Sequence, residues 1–344
     1  MVEGREGLRR QGGMTMSARP DRSRWIVAMA LVAVLAAVAD PAAAQSYPTR
    51  PITLVVPFPP GGSTTILARI IADKLSDALG RPIVVDNRGG AGGSIAARQV
   101  ARSAPDGYTL LIAFSATLAI SPSMFPNVGY DPRTDFAPIG MIGMAPSVLV
   151  VHPSLPAHSV ADLIKVARDA PGKIQYGSPS TGTVNHLAAE LFASMADIKL
   201  GHIPYKGTGP AMSDLLGGHI SMMFAPIPAA HANVAAGTLR ALGVSSLQRS
   251  RLLPEIPTIA EAGLPGFEAT QRSTLLAPAG TPRPIVERLN RELNALLATD
   301  EVRKRLALEG AEPIPGAPEE YMADIDREEK RWSKLVHAIG LKGE

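Results

Sequence analysis

The sequence predicts an α/β protein of two lobes, each a mainly parallel sheet flanked by helices, joined by two crossover segments. Three observations carry this. Short β-branched runs alternate with helical patterns along the chain. The alternation breaks and restarts once, near residue 150. The chain then closes with helices that bring no new strands and must cover a sheet formed earlier. Its 344 residues are enough for two domains with full cores.

The elements follow in order. Ile52–Val56 is a β-branched run ended by Pro57. Ile66, Leu67, Ile70, Ile71, Leu75 and Leu79 recur at helical spacing, and Gly80 and Pro82 mark the stop. Ile83–Val85 is the next strand. The glycines of 89–93 turn the chain into a helix over 94–102. Pro105-Asp106-Gly107 is a turn before a strand over 109–114. This β-α-β-α-β order implies parallel strands with right-handed crossovers.

The second series opens with a strand over 147–151. Ser159 caps a helix, with Asp162 three residues on. Strands over 174–177, 202–205, 220–224 and 239–244 enclose helices over 184–196 and 210–216. A proline-rich stretch, 252–266, leads to a strand over 274–277. Two helices, 284–298 and 318–337, end the chain. The economical arrangement is a discontinuous first lobe, 45–149 plus 277–344, with 150–276 as the second. The crossings then fall at Val148–His152 and Leu275–Pro278, a hinge geometry with a cleft between the lobes.

The N-terminus reads as a secretory signal. Arg19, Arg22 and Arg24 precede an apolar run from Trp25 to Val38, and Ala42-Ala43-Ala44 precedes Gln45. The run is shorter than the roughly 20 residues that span a bilayer. Residues 1–44 are therefore expected to be removed on export, with Gln45 first in the mature chain; the other reading of the segment is an uncleaved N-terminal anchor. The sequence before Met14 and Met16 is unlike a signal, so either methionine reads as a start. Removing 1–44 takes away six Arg and four acids, leaving 28 basic against 27 acidic residues. That balance and an aromatic content of 4% exclude a dedicated nucleic-acid binder. The absence of cysteine excludes disulfides, thiolate metal sites and a cysteine nucleophile. No phosphate-binding loop, dinucleotide fingerprint, nucleophile elbow or histidine metal motif is present, so no cofactor and no metal are expected.

Two glycine-rich loops carry the chemistry. Pro57–Thr64 links a strand to a helix, and so does Gly177–Thr183. Glycines let backbone N–H groups approach a ligand closely, and helix starts add unpaired donors and a positive dipole end. In open α/β sheets ligands lie at the carboxyl ends of strands, where both loops fall. The candidate ligand-binding residues are Pro60, Gly61, Gly62, Ser63, Thr64 and Thr65 in the first loop. In the second they are Ser178, Ser180, Thr181, Gly182, Thr183 and His186. Ser115 stands at the end of the 109–114 strand, Tyr205 after the 202–205 strand and Ala225 after the 220–224 strand. Neither loop holds Arg or Lys, which suits reversible recognition by neutral dipoles. Taken one at a time, each loop is equally a tight turn with a Ser/Thr cap, and His186 equally a capping or core histidine.

Seven motifs stand in order: Pro57-Phe58-Pro59-Pro60-Gly61-Gly62, Gly89-Gly90-Ala91-Gly92-Gly93, Pro105-Asp106-Gly107-Tyr108-Thr109-Leu110, Tyr130-Asp131-Pro132, Asp135-Phe136, Pro204-Tyr205-Lys206-Gly207 and Asp214-Leu215-Leu216-Gly217-Gly218. Together they resemble the tripartite tricarboxylate transporter substrate-binding proteins, the Bug family. The resemblance implies a periplasmic binding protein of the Venus-flytrap kind, with no enzymatic activity. It implies a monomer that clamps a small carboxylate between the two loops and serves a membrane transporter or a signalling receptor. The family commonly has Asp where this chain has Thr65 and Ala225. On that difference the cleft is expected to prefer dicarboxylates or aromatic carboxylates over amino acids. The other class that the residues leave open is a secreted serine hydrolase using a loop serine with His186.

Overall fold

The computed structural model describes residues 47–60, 63–125 and 127–342. The signal-peptide reading of 1–44, the start at Gln45 and the loop glycines Gly61 and Gly62 lie outside the described residues.

The first series forms as expected. β1 (Ile52–Val56) leads to α1 (Ser63–Leu79), then β2 (Ile83–Asn87), α2 (Ser94–Ala101) and β3 (Thr109–Phe114). β1 pairs in parallel with both β2 and β3. A π-helical turn, Ala116–Ile120, and one α-turn, Ser121–Met124, follow.

β4 (Phe136–Val151) is 16 residues long, three times the strand expected. Its first part contains Pro138, Gly140, Gly143 and Pro146, residues that argue against a strand. The register shifts beside both glycines, so they sit at irregularities of the ladder. This one strand joins the two halves of the molecule. Up to Pro146 it pairs with β9 (Thr270–Pro278), and from Ser147 with β7 (Met222–Pro226) and β8 (Arg240–Val244).

The second half comprises α3 (Val160–Asp169), β5 (Gln175–Ser178), α4 (Val184–Ala196), β6 (Gly201–Pro204), α5 (Thr208–Leu216), β7, α6 (Ile227–Ala235) and β8. Ser159 caps α3 by accepting the Asp162 N–H at 3.1 Å, as its sequence predicts. β5 pairs in parallel with β6 and β7. After β9 come α7 (Arg283–Ala298), α8 (Asp300–Leu308), the two-residue β10 (Glu312–Pro313) and α9 (Glu320–Ala338). α6 and α8 are additions to the sequence reading.

The strand order is β2-β1-β3-β9-β4-β7-β5-β6, with β8 and β10 also on β4. The outer strands are parallel, as expected. The central pairs β3–β9, β4–β9 and β4–β7 are antiparallel, so each half is mixed rather than mainly parallel. The reason is topological: a strand that returns from the other half enters the sheet from the opposite end. β9 pairs with β4 from Thr270 and with β3 from Ser273, so it enters the sheet upstream of the expected crossing at Leu275–Pro278. The return passage is marked by a knot. Ser245 Oγ accepts the Ser147 N–H at 2.9 Å and donates to the Ala269 carbonyl at 2.6 Å.

The core is divided in three. Ile52, Leu54, Val56, Leu110 and Ile112 pack under α1, α7 and α8. Val55, Leu111 and Ala113 face the opposite way, into the largest cluster, with Phe192, Phe224 and Trp332. Val148, Val150, Met223 and Ala225 form the third with α5 and α6. The alternation along β1, β3 and β7 is the two-residue period of a sheet covered on both faces.

Candidate functional site

Four helix starts converge on one cavity of about 420 Å³. That is within the roughly 300–1,000 Å³ of small-molecule sites. Ser63 brings the start of α1, Val184 and Asn185 that of α4, Thr208 that of α5, and Ile227, Pro228 and Ala229 that of α6. Ala145, Pro146 and Ser147 of the crossing strand, Gln271 of β9 and Glu309 complete the wall. The helices α1, α4, α5 and α6 follow the carboxyl ends of β1, β5, β6 and β7, where ligands collect in α/β sheets.

The helix starts differ in how their donors are engaged. At α4 the Thr183 side chain accepts the His186 N–H at 3.3 Å. Gly207 precedes α5 and Pro226 precedes α6, and neither provides a side-chain cap. The first N–H groups of a helix have no partner within it, and the dipole places partial positive charge there. An anion at this point finds donors without any cation.

Asn185 is the central polar side chain. Its amide donates to Ser147 Oγ and to the Phe224 carbonyl, both at 2.9 Å. These bonds tie α4 to β4 and β7 and fix the amide oxygen at the wall. Neither Asn185 nor Ser147 was among the expected residues. Asn185 was legible as the second residue after the Thr183 cap. Ser147 fell at the edge of a predicted strand.

Of the expected residues, Ser63 lines the cavity. Pro60 is exposed and Thr64 half-buried beside it. Thr65 does not reach the cavity. It is 2% exposed, and its hydroxyl accepts from Asn87 Nδ2 at 2.9 Å. The same Asn87 amide donates to the Phe58 carbonyl at 2.8 Å, so Thr65 and Asn87 brace the first loop from below.

The second loop is also braced from within. Ser178 is fully buried; its hydroxyl bonds His202 Nε2 at 2.7 Å and the Ser180 carbonyl at 3.2 Å. Thr183 Oγ1 donates to that carbonyl at 2.8 Å. Gly182 donates its N–H to His186 Nδ1 at 3.2 Å. Its φ of +76° is one that a side chain strains, and a Cβ there would lie 2.9 Å from Met124 Sδ. His186 stacks on His202 with centroids 4.1 Å apart, and His202 on Tyr176 at 4.8 Å. Burial, and then the neighbouring His202, push the His186 pKa down to about 3; burial also lowers that of His202. Both rings are neutral near pH 7. His186 is thus the capping and core histidine of the two readings. Ser180 and Thr181 are exposed on the loop.

Three expected residues belong elsewhere. Tyr205 donates to Asp214 at 2.7 Å and packs in the third core cluster, not on the cavity wall. Ala225 is fully buried in that same cluster, so it cannot tune ligand charge. Ser115 donates to Glu328 at 3.0 Å and accepts the Arg272 N–H at 3.0 Å. It sits in a buried ion cluster in which Arg272 bridges Glu268 at 3.1 Å and Asp324 at 3.0 Å. With Thr65 and Ala225 both away from the cavity, the expected preference against amino acids loses its basis.

The Ser178–His202 pair has the separation of a nucleophile and its base. Fully buried under the loop, its hydroxyl cannot meet a substrate.

Residues 67–341 match the model of the tripartite tricarboxylate transporter family receptor. Protein BugT of Bordetella pertussis is 40% identical over 321 residues, 93% of this chain and 98% of that protein. R. palustris Rpa4515, solved with adipate, is 41% identical with a TM-score of 0.77, over 86% of this chain and 99% of that one. MatC from Rhodopseudomonas palustris, with bound malate, is 33% identical with a TM-score of 0.73, over 84% and 100%. The two-lobed α/β fold is that of periplasmic binding proteins, and the chain belongs to the tripartite tricarboxylate transporter receptor family, solute-binding proteins of the Bug and TctC type rather than enzymes.

Proposed function

We propose that the protein captures a small carboxylate in the cavity between its two halves and delivers it to the membrane subunits of a tripartite tricarboxylate-type transporter. The observation that carries this is the convergence of four helix starts, two of them uncapped, on a cavity whose described lining residues include no Arg or Lys. Such a site stabilises an anion by dipoles and N–H groups. Each helix end contributes about 0.3–1 kcal/mol, and each hydrogen bond to a charged group about 1.5–3 kcal/mol before ordering costs. A few such contacts give micromolar binding, about −8 kcal/mol. The adipate and malate held by its relatives support the ligand class.

The protein works as a monomer in the periplasm after loss of residues 1–44, and among the described residues no helix is long and apolar enough to cross a membrane. The lobes are the two groups of strands that meet at Pro146/Ser147, and they close on the ligand about the Ser147–Ser245–Ala269 knot. The test is native mass spectrometry of protein purified from the periplasm, followed by calorimetry with the ligand released. A bound carboxylate and a radius of gyration that falls on saturation are expected. A saturating ligand without a carboxylate refutes the reading.

A further inference from the structure

The cavity wall has one charged side chain, and it is an acid. Among the described lining residues only Glu309 has an ionisable side chain. It follows α8 directly, at the carboxyl end of that helix. The next residue, Gly310, has φ +69° and stands so close to α6 that a Cβ would lie 2.8 Å from Pro228 Cδ. This contact pins Glu309 where the end of α8 meets the start of α6. Its side chain lines the cavity, and no cationic residue stands beside it in the described lining. Burial raises its pKa.

The lining therefore combines opposite tastes. The helix starts favour negative charge, while the carboxyl end of α8 and the Glu309 side chain disfavour it and accept hydrogen bonds. A ligand carboxylate settles against the helix starts. Its other end then meets Glu309. Resting on the carboxylate-binding reading above, we infer that the cavity selects ligands with a single carboxylate whose far end carries a hydrogen-bond donor (a hydroxyl, an amide or an ammonium) over dicarboxylates. Glu309 is the residue that sets this choice. A second carboxylate would place two like charges in one partly desolvated site, whereas a donor is paired by Glu309.

The test uses two matched series: adipate, 6-hydroxyhexanoate and 6-aminohexanoate; succinate, 4-hydroxybutyrate and 4-aminobutyrate. Affinities are measured by calorimetry on the wild type and on Glu309→Gln. In the wild type at least one donor-ended member should bind tenfold or more tighter than the dicarboxylate of its series. Glu309→Gln should shift that ratio at least tenfold toward the dicarboxylate and weaken the ammonium ligand most. The unliganded melting temperature of Glu309→Gln should match the wild type. If it does not, the wild-type ratio alone decides. A dicarboxylate that binds tighter than its donor-ended partners in the wild type overturns the inference, as does a ratio unmoved by Glu309→Gln, and both leave carboxylate binding standing. If no member of either series binds, the carboxylate reading falls and this inference with it.

Discussion

The two glycine-rich turns, 57–62 and 178–183, look alike in sequence, and their described residues are held in different ways. The first is braced by one neutral amide: Asn87 reaches up from β2 to the Phe58 carbonyl and the Thr65 hydroxyl. The second is braced by a stack of rings, with His186 and His202 face to face and Gly182, Thr183 and Ser178 bonded around them. The difference teaches where hydroxyls go. In a turn of glycines and small polar residues, the turn's own backbone is the nearest partner, so hydroxyls that seem free for a ligand close the loop instead. The groups left over are N–H donors at helix starts, two of which have no side-chain cap. The cavity lies at those starts and at the starts of α1 and α4.

The comparison breaks most visibly at His186. His186→Ala removes a buried ring from the stack and leaves the Gly182 N–H without its acceptor. A loss of roughly 2–4 kcal/mol in urea unfolding is expected, adding cavity and unsatisfied-donor costs. A loss below about 1 kcal/mol would mean the stack does not brace the turn.

Acid should separate the turns next. The His186 pKa is pushed down to about 3 from an ordinary 6.5, so between those values the unfolded chain takes up a proton that the folded chain refuses. The stabilisation is full above pH 6.5 and is eroded as pH falls toward 3. His202 acts in the same direction. Asn87 and Thr65 do not titrate, so the first turn has no such dependence. Hydrogen exchange should show 178–183 loosening between pH 6.5 and 4 while the Phe58 amide, the one N–H that 57–60 carries, holds. The stability of His186→Ala should fall less steeply with acid than the wild type's.

Asn87→Ala comes third. It removes two hydrogen bonds under the first turn, worth about 0.5–1.5 kcal/mol each. Urea unfolding should register about 1–2 kcal/mol, and ligand affinity should fall because Ser63 is carried on that turn. The smallest effect belongs to Thr65→Val, about 1 kcal/mol or less in stability with ligand affinity unchanged. A tenfold loss of affinity in Thr65→Val would return that residue to the binding surface.

Much of the fold was legible because its signals are local. β1 and β3 carry β-branched or apolar runs with no competing pattern, and α3 announces itself through Ser159 and Asp162. The first part of β4 was not legible, because Pro138, Gly140 and Gly143 speak against a strand and only pairing with β9 overrides them. α6 and α8 escaped for different reasons. Pro226 and Pro228 read as breakers when they are helix-start residues, and 300–308 is too charged to show an apolar stripe. Those two helices supply half of what the site needed: an uncapped start and the acid at 309. The rest of the site follows from tertiary approach. Ser147 and Gln271 reach the cavity only because two chain passages run side by side.

The central claim is that the converging helix starts bind a carboxylate. Backbone amide NMR of the mature protein, titrated with the carboxylate that binds best, tests it most directly. The account predicts that the N–H signals of Asn185, Thr208 and Ala229 move together and saturate with the calorimetric affinity, ahead of Ser180 and Thr181 on the exposed turn. Saturation that leaves these three amides unmoved, with shifts confined to the turn residues or to another part of the molecule, would contradict it.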